Sequence, residues 1–271
     1  MKSTFRFFAA LVFAASLIAA CKPDPVDPDP TPVTPAPVTP GPVIPTGSAI
    51  CINFNNVVGS NPLILDNVYR YVNLNGDSFN VQTYRYYISN ISFTDNLGNT
   101  WYELESYHLI DAADTNSLKV YVDSMPAGTY TSIRFMVGVD STRNVSGAQT
   151  GALDPVNGMF WTWSSGYIMA KFEGHSPSST SGFNLVVYHI AGYAGQYAGQ
   201  RWFTPTFNSA TAIVTSNTVP VIHINSDLNE WFQTPNVMDF SSYSVVNAPD
   251  AISSGIADNY LDMFTVTSIQ N

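Results

Sequence analysis

Phe79-Asn80-Val81-Gln82-Thr83-Tyr84-Arg85-Tyr86-Tyr87-Ile88-Ser89-Asn90-Ile91-Ser92-Phe93 is the stretch that decides the fold class. Side chains of an extended chain point alternately to opposite faces, which sets Val81, Thr83, Arg85 and Tyr87 against Tyr84, Tyr86 and Ile88. Aromatic and β-branched residues fit such a pleated surface. The run therefore reads as one long strand with aromatic side chains on both faces.

Upstream, Ala49-Ile50-Cys51-Ile52-Asn53-Phe54 alternates in part and reads as a first strand. Leu118-Lys119-Val120-Tyr121-Val122 and residues 130–137 flank Pro126-Ala127-Gly128, where Pro restricts φ and Gly frees it. That pattern predicts a hairpin. Further strands are expected at residues 101–109, 166–172, 183–190 and 219–224, each short and bounded by Gly, Pro, Asn or Ser. Near the end, Asp250 is placed to cap a helix running towards Phe264, with Ile252, Ile256, Tyr260 and Phe264 on one apolar stripe. The expected architecture is mainly β, an antiparallel β-sandwich with long loops and a short C-terminal helix.

The chain has 271 residues, 45% hydrophobic, 13% aromatic and 11% charged, enough apolar material for a sizeable core. Its formal net charge of −10 and pI near 4.5 exclude the basic footprint of a nucleic-acid binder. Residues 1–20 read as a signal peptide: Lys2 and Arg6 precede an apolar run that ends in small residues. Ile18-Ala19-Ala20-Cys21 resembles a bacterial lipobox, which predicts lipidation at Cys21 and an outer-membrane lipoprotein facing the periplasm or the cell surface. Residues 21–47 hold the lipidated Cys and a Pro-rich stalk, and residues 48–271 form one domain. At about 3.1 Å per residue a polyproline II stalk spans on the order of 70 Å. With Cys21 lipidated, Cys51 has no disulfide partner and is expected to pack as a small apolar side chain.

Local catalytic signatures are missing: there is no His-Glu-x-x-His, Gly-x-Ser-x-Gly, phosphate-binding loop or Cys-x-x-Cys. The four histidines, His108, His175, His189 and His223, have no chelating spacing, so a metal site must draw imidazoles from separate strands. Thioethers of Met125, Met159 or Met169 would suit copper(I). His189 closes an apolar strand just before Ala191-Gly192, and His175 ends the strand that starts beside Trp161 and Trp163. On a strand that Trp pair would share a face, walling a cavity or packing as core. Asp140, Asn144 and Asp154 offer hard oxygens in a Gly-rich loop, either for calcium or to satisfy loop amides.

The block Gly138-Val139-Asp140, Asn144-Val145-Ser146-Gly147, Asp154-Pro155 and Gly158-Met159-Phe160-Trp161-Thr162-Trp163-Ser164-Ser165-Gly166-Tyr167, followed by Lys171-Phe172-Glu173-Gly174, resembles the MbnP-like family, some of whose members are encoded beside methanobactin systems. Tyr107-His108-Leu109-Ile110-Asp111 and Ile256-Ala257-Asp258-Asn259-Tyr260 extend the resemblance. It implies a periplasmic or outer-membrane copper-binding protein, not a conventional enzyme, using histidine and an oxidised tryptophan. It also implies a dihaem peroxidase partner (MbnH-like) that converts tryptophan to kynurenine. Carried onto this chain, the metal candidates are His189, His175, Trp161 and Trp163, with either Trp as the one modified.

Two functions are therefore expected to compete. One is a lipid-anchored copper-binding protein for acquisition or storage of the metal. The other is a surface adhesion or glycan-contact sandwich, which the 15 Tyr and 5 Trp would suit. Convergence of His189 with the Trp pair favours the first; an exposed flat aromatic strip favours the second.

Overall fold

A computed structural model describes residues 48–161 and 166–271. In chain order these form β1 (Ala49–Val58), β2 (Asn61–Pro62), β3 (Tyr71–Val72), β4 (Ser78–Phe79), β5 (Thr83–Asp95), β6 (Thr100–Tyr102), β7 (Tyr107–Asp111), β8 (Lys119–Asp123) and β9 (Gly128–Val137). Helix α1 (Ser141–Val145) follows, then β10 (Phe160–Trp161), β11 (Gly166–Tyr167), β12 (Ala170–His175), β13 (Leu185–Ile190), β14 (Arg201–Phe203), β15 (Ala212–Val214), β16 (Val221–Asp227), β17 (Val245–Val246), helix α2 (Ala251–Asn259) and β18 (Phe264–Gln270). The signal peptide, Cys21 and the stalk lie outside the described residues.

Two large sheets sandwich one core. The smaller runs β18-β16-β1, with β2 and β8 both on β1; the larger is built around β5, which pairs with β6, β7, β9 and β12. Most pairs are antiparallel, but β1–β16 and β13–β17 are parallel. The alternation in β5 is as the sequence dictates: Tyr84, Tyr86 and Ile88 are fully buried in the shared core. Val81, just outside the strand, is also buried in that core, so the outward set begins at Thr83. Facing rings interlock across the sheets, with Phe54 6.2 Å from Tyr86 and Phe135 5.0 Å from Phe264, both edge to face. Such pairs contribute about 0.5–1.5 kcal/mol each beyond their buried area. The large rings of this core pair their polar tips: Tyr84 Oη lies 2.9 Å from Ser226 Oγ, and Trp231 Nε1 donates to Met263 Sδ.

The expected β8–β9 hairpin does not form. β8 pairs with β1 and β9 with β5, so Pro126-Ala127-Gly128 lets the chain cross from one sheet to the other. Met125 is buried as the chain crosses, and the Tyr130 hydroxyl braces the turn by donating 2.8 Å to Pro126 O. A hairpin loop would leave Met125 in solvent; an arch lets Val120, Val122 and Met125 enter the core from one sheet and Tyr130 from the other.

Two other boundaries move. The strand expected at residues 101–109 breaks into β6 and β7, because β5 bulges at Asn90 (φ 53°) and Ser106 fills the gap, its carbonyl accepting from Asn90 N and its hydroxyl from Ile91 N. The helix capped by Asp250, whose carboxylate accepts 2.8 Å from Ser253 N, stops at Asn259; one 3-10 turn leads into β18, where Thr265, Val266 and Thr267 favour extended chain. Cys51 is buried and forms no disulfide, and burial raises its thiol pKa.

Gly174 is where the larger sheet meets the preceding segment: a Cβ there would sit 2.1 Å from the Asn80 carbonyl oxygen. No side-chain rotation relieves a clash with backbone. Gly174→Ala is expected to destabilise the domain by about 1–3 kcal/mol, read as a lowered denaturation midpoint; an unchanged midpoint would contradict the close packing.

Candidate functional site

The outward face of the larger sheet carries a polar row. Register aligns Asp111, Arg85, Lys171 and His189 across β7, β5, β12 and β13, and places Thr83 opposite Glu173 beside them. Arg85 Nε lies 2.8 Å from Asp111 Oδ2. His189 Nε2 lies 2.7 Å from Glu173 Oε1; Lys171 Nζ is 3.4 Å from the same oxygen, and Thr83 Oγ1 donates 2.9 Å to Oε2. The His189 hydrogen bond, helped by the Lys171 charge and opposed by burial, pushes the Glu173 carboxyl down to about 2.

A long connection between β9 and β12 covers part of this face and builds a second, smaller apolar cluster of Tyr87, Val139, Leu153, Met159, Tyr167, Ile168 and Met169. Its entry needs glycine: Gly138 has φ +114°, and a Cβ there would lie 2.8 Å from Met169 Sδ. Asp140 caps α1 by accepting 3.0 Å from Arg143 N, and it also receives the Tyr107 hydroxyl. Burial and this hydrogen bond push the Tyr107 phenol up to about 12. Asn144 is buried, with Oδ1 accepting 2.9 Å from Tyr167 N. Asp154 caps the next turn by accepting 2.9 Å from Val156 N. All three oxygen donors named as calcium candidates accept from backbone amides. No group of three or more His, Cys, Asp or Glu side chains able to hold a metal occurs among the described residues.

Two cations of the polar row anchor this connection. Arg85 Nη1 donates 3.0 Å to Asn157 O, and Lys171 Nζ donates 3.1 Å to Gly158 O. Just beyond these points the chain delivers Trp161 to β10, with its ring centroid 6.0 Å from that of His189 at 45°. Two residues far apart in sequence, His189 and Trp161, are therefore neighbours. Trp163 lies outside the described residues.

The other histidines stand elsewhere. His175 shares the outward face but pairs with Leu185, four residues along β13 from His189, or about 13 Å at strand rise. Its backbone is held by Asn80. His108 contacts Glu103 at 3.0 Å, and His223 Nδ1 lies 3.0 Å from Asn53 Nδ2 on the other sheet. Met159 and Met169 are buried in the smaller cluster, while Met125 is in the main core. Glu173 and Lys171 stand in the family-like block of the sequence but were not among the expected ligands; register and side-chain contacts bring them to the site. Their signal was the period-two pattern Lys171-Phe172-Glu173, which puts both on the face away from Phe172.

The sequence profile of the MbnP family matches residues 47–248, more than half of the chain, and the chain belongs to that family. The solved structure of MbnP from Methylosinus trichosporium superposes with a TM-score of 0.50 at 14% identity, covering 75% of this chain and 82% of that one. At this identity the likeness is one of fold. No curated protein matches the chain.

The depressed Glu173 pKa carries a stability consequence. Its contribution is fully present above the ordinary carboxyl value of 4.5 and is lost as pH falls through about 2. Glu173→Gln is expected to melt below the native protein at neutral pH, with the gap closing over that window. Calorimetry across a pH series reads it; a gap that does not change with pH would overturn the assignment.

Proposed function

We propose that this member of the MbnP family is a lipid-anchored, extracytoplasmic copper-binding protein used in acquisition or storage of the metal, with His189 and Trp161 at its site. The observation that carries this reading is the 6.0 Å approach of the Trp161 and His189 rings above a carboxylate-anchored polar row. The donor chemistry fits: imidazole suits copper in either oxidation state, and a metal-binding His commonly hands its second ring N–H to a carboxylate, as Glu173 permits. An intact indole adds no good ligand, so His189 would need further donors from its surroundings.

Oxidation would supply the missing donors. Two equivalents of hydrogen peroxide each give up one oxygen and leave as water while the indole C2–C3 bond is cleaved, C3 becoming a ketone and C2 an N-formyl group; water then cleaves the N–formyl bond, releasing formate and an aryl amine. A dihaem peroxidase is the partner class for that step. His189 positions the ring, and Arg85 and Lys171 hold the backbone that carries it. The glycan-contact reading draws on exposed aromatics such as Tyr69, Tyr102, Phe183, Tyr197 and Trp202, the last with Arg134 3.9 Å above its ring. Trp161 does not belong to such an exposed strip; it packs against the smaller apolar cluster.

Three outcomes are expected for the full chain purified from its own host. Copper(I) binds stoichiometrically against a competing chelator, and His189→Ala abolishes that binding. Peptide mass spectrometry finds Trp161 as kynurenine; kynurenine at Trp163 instead would refute the choice of Trp161, and both intact in copper-loaded protein would refute the oxidation. Cys21→Ala moves the protein from the membrane to the soluble fraction on cell fractionation; retention in the membrane would refute the anchor.

A further inference from the structure

His189 has two ring nitrogens, and its surroundings distinguish them. Nε2 faces Glu173 Oε1 at 2.7 Å, while Glu173 Oε2 is occupied by Thr83 Oγ1 at 2.9 Å. An ionised carboxylate only accepts hydrogen bonds, so the proton of the neutral imidazole must be on Nε2 and the lone pair on Nδ1. Register makes the arrangement rigid: Lys171 is directly opposite His189, and Glu173 is its diagonal neighbour on the same face. A slip of one residue would turn Glu173 and Lys171 into the core.

We propose that Glu173 is a positioning residue that fixes His189 in its Nε2–H tautomer and thereby presents Nδ1 as the atom that binds a soft metal ion. The metal-binding half rests on the copper reading; the tautomer half does not. Glu173 takes the supporting role because hard carboxylate oxygens suit a soft ion poorly, and these already receive His189, Thr83 and Lys171. Lys171 also donates to Gly158 O, so the same network that orients the imidazole ties down the segment leading to Trp161.

The test has two readouts. The first is a two-bond nitrogen–proton correlation spectrum of metal-free, nitrogen-15-labelled full chain, recorded at a pH where the ring is neutral. Native protein is expected to show the Nε2–H pattern and Glu173→Gln a mixture of tautomers, since an amide can donate as well as accept. A native Nδ1–H pattern overturns the proposal, whatever copper does. The second readout is copper(I) competition, in which Glu173→Gln is expected to weaken binding by about 10–100-fold, whereas His189→Ala abolishes it. Binding by Glu173→Gln as tight as native overturns the positioning role. Should Glu173→Gln not fold, Glu173→Asp takes its place, and the native spectrum still decides the tautomer. Failure of native protein to bind copper(I), with the Nε2–H pattern present, refutes the copper reading and the metal-binding half alone.

Discussion

Alternation along β5 is the constraint on which the rest of the molecule rests. One face sends Tyr84, Tyr86 and Ile88 into the core shared by the two sheets, and the other sends Arg85 and Tyr87 outward. Inward, the rings meet β1 and β18 from the opposite sheet, as in the contacts of Phe54 and Phe264 with Tyr86. Outward, Tyr87 becomes the base of the smaller apolar cluster, and Arg85 joins the polar row and holds Asn157. Because the side-chain period is two, these assignments stand or fall together.

The site inherits its geometry from that face. Strands β12 and β13 add Lys171, Glu173 and His189 in fixed register, and the two cations of the row then hold the connection from which Trp161 projects. Polar residues on a sheet surface usually end in water. Here they are partly covered, so each hydrogen bond works in a less polar medium and orients its partner more strictly. The arrangement is thus a rigid scaffold under a long loop, the division of labour expected when binding groups lie on connections between strands.

Much of this was legible in the sequence because it was local. The long strand, the first strand, the Asp250 cap and the burial of Cys51 each follow from spacing within a few residues. What local patterns could not give was partnership. Pro126-Ala127-Gly128 has the chemistry of a turn whether the chain returns within one sheet or crosses to another, and only burial of Met125 decides between them. The bulge at Asn90 and the break between β6 and β7 are likewise one event seen from two strands. At the site, His189 and the Trp-rich block stood out by type. Glu173 did not, since a lone glutamate in an alternating strand is indistinguishable from any solvated one until register brings His189 beside it.

The parallel pairing of β1 with β16 has a consequence for how the molecule comes into being. Asn53 and His223, neighbours across that pair, are separated by 170 residues of chain, and β16 is itself completed by β18 at the far end. Closing so large a loop carries an entropic cost before any long-range contact offsets it. The larger sheet draws β5, β9, β12 and β13 from the middle of the sequence and is free to assemble first. The first strand has nearby partners in β2 and β8, but its other edge is covered only by β16, so the smaller sheet cannot be completed until the C-terminal strands are present.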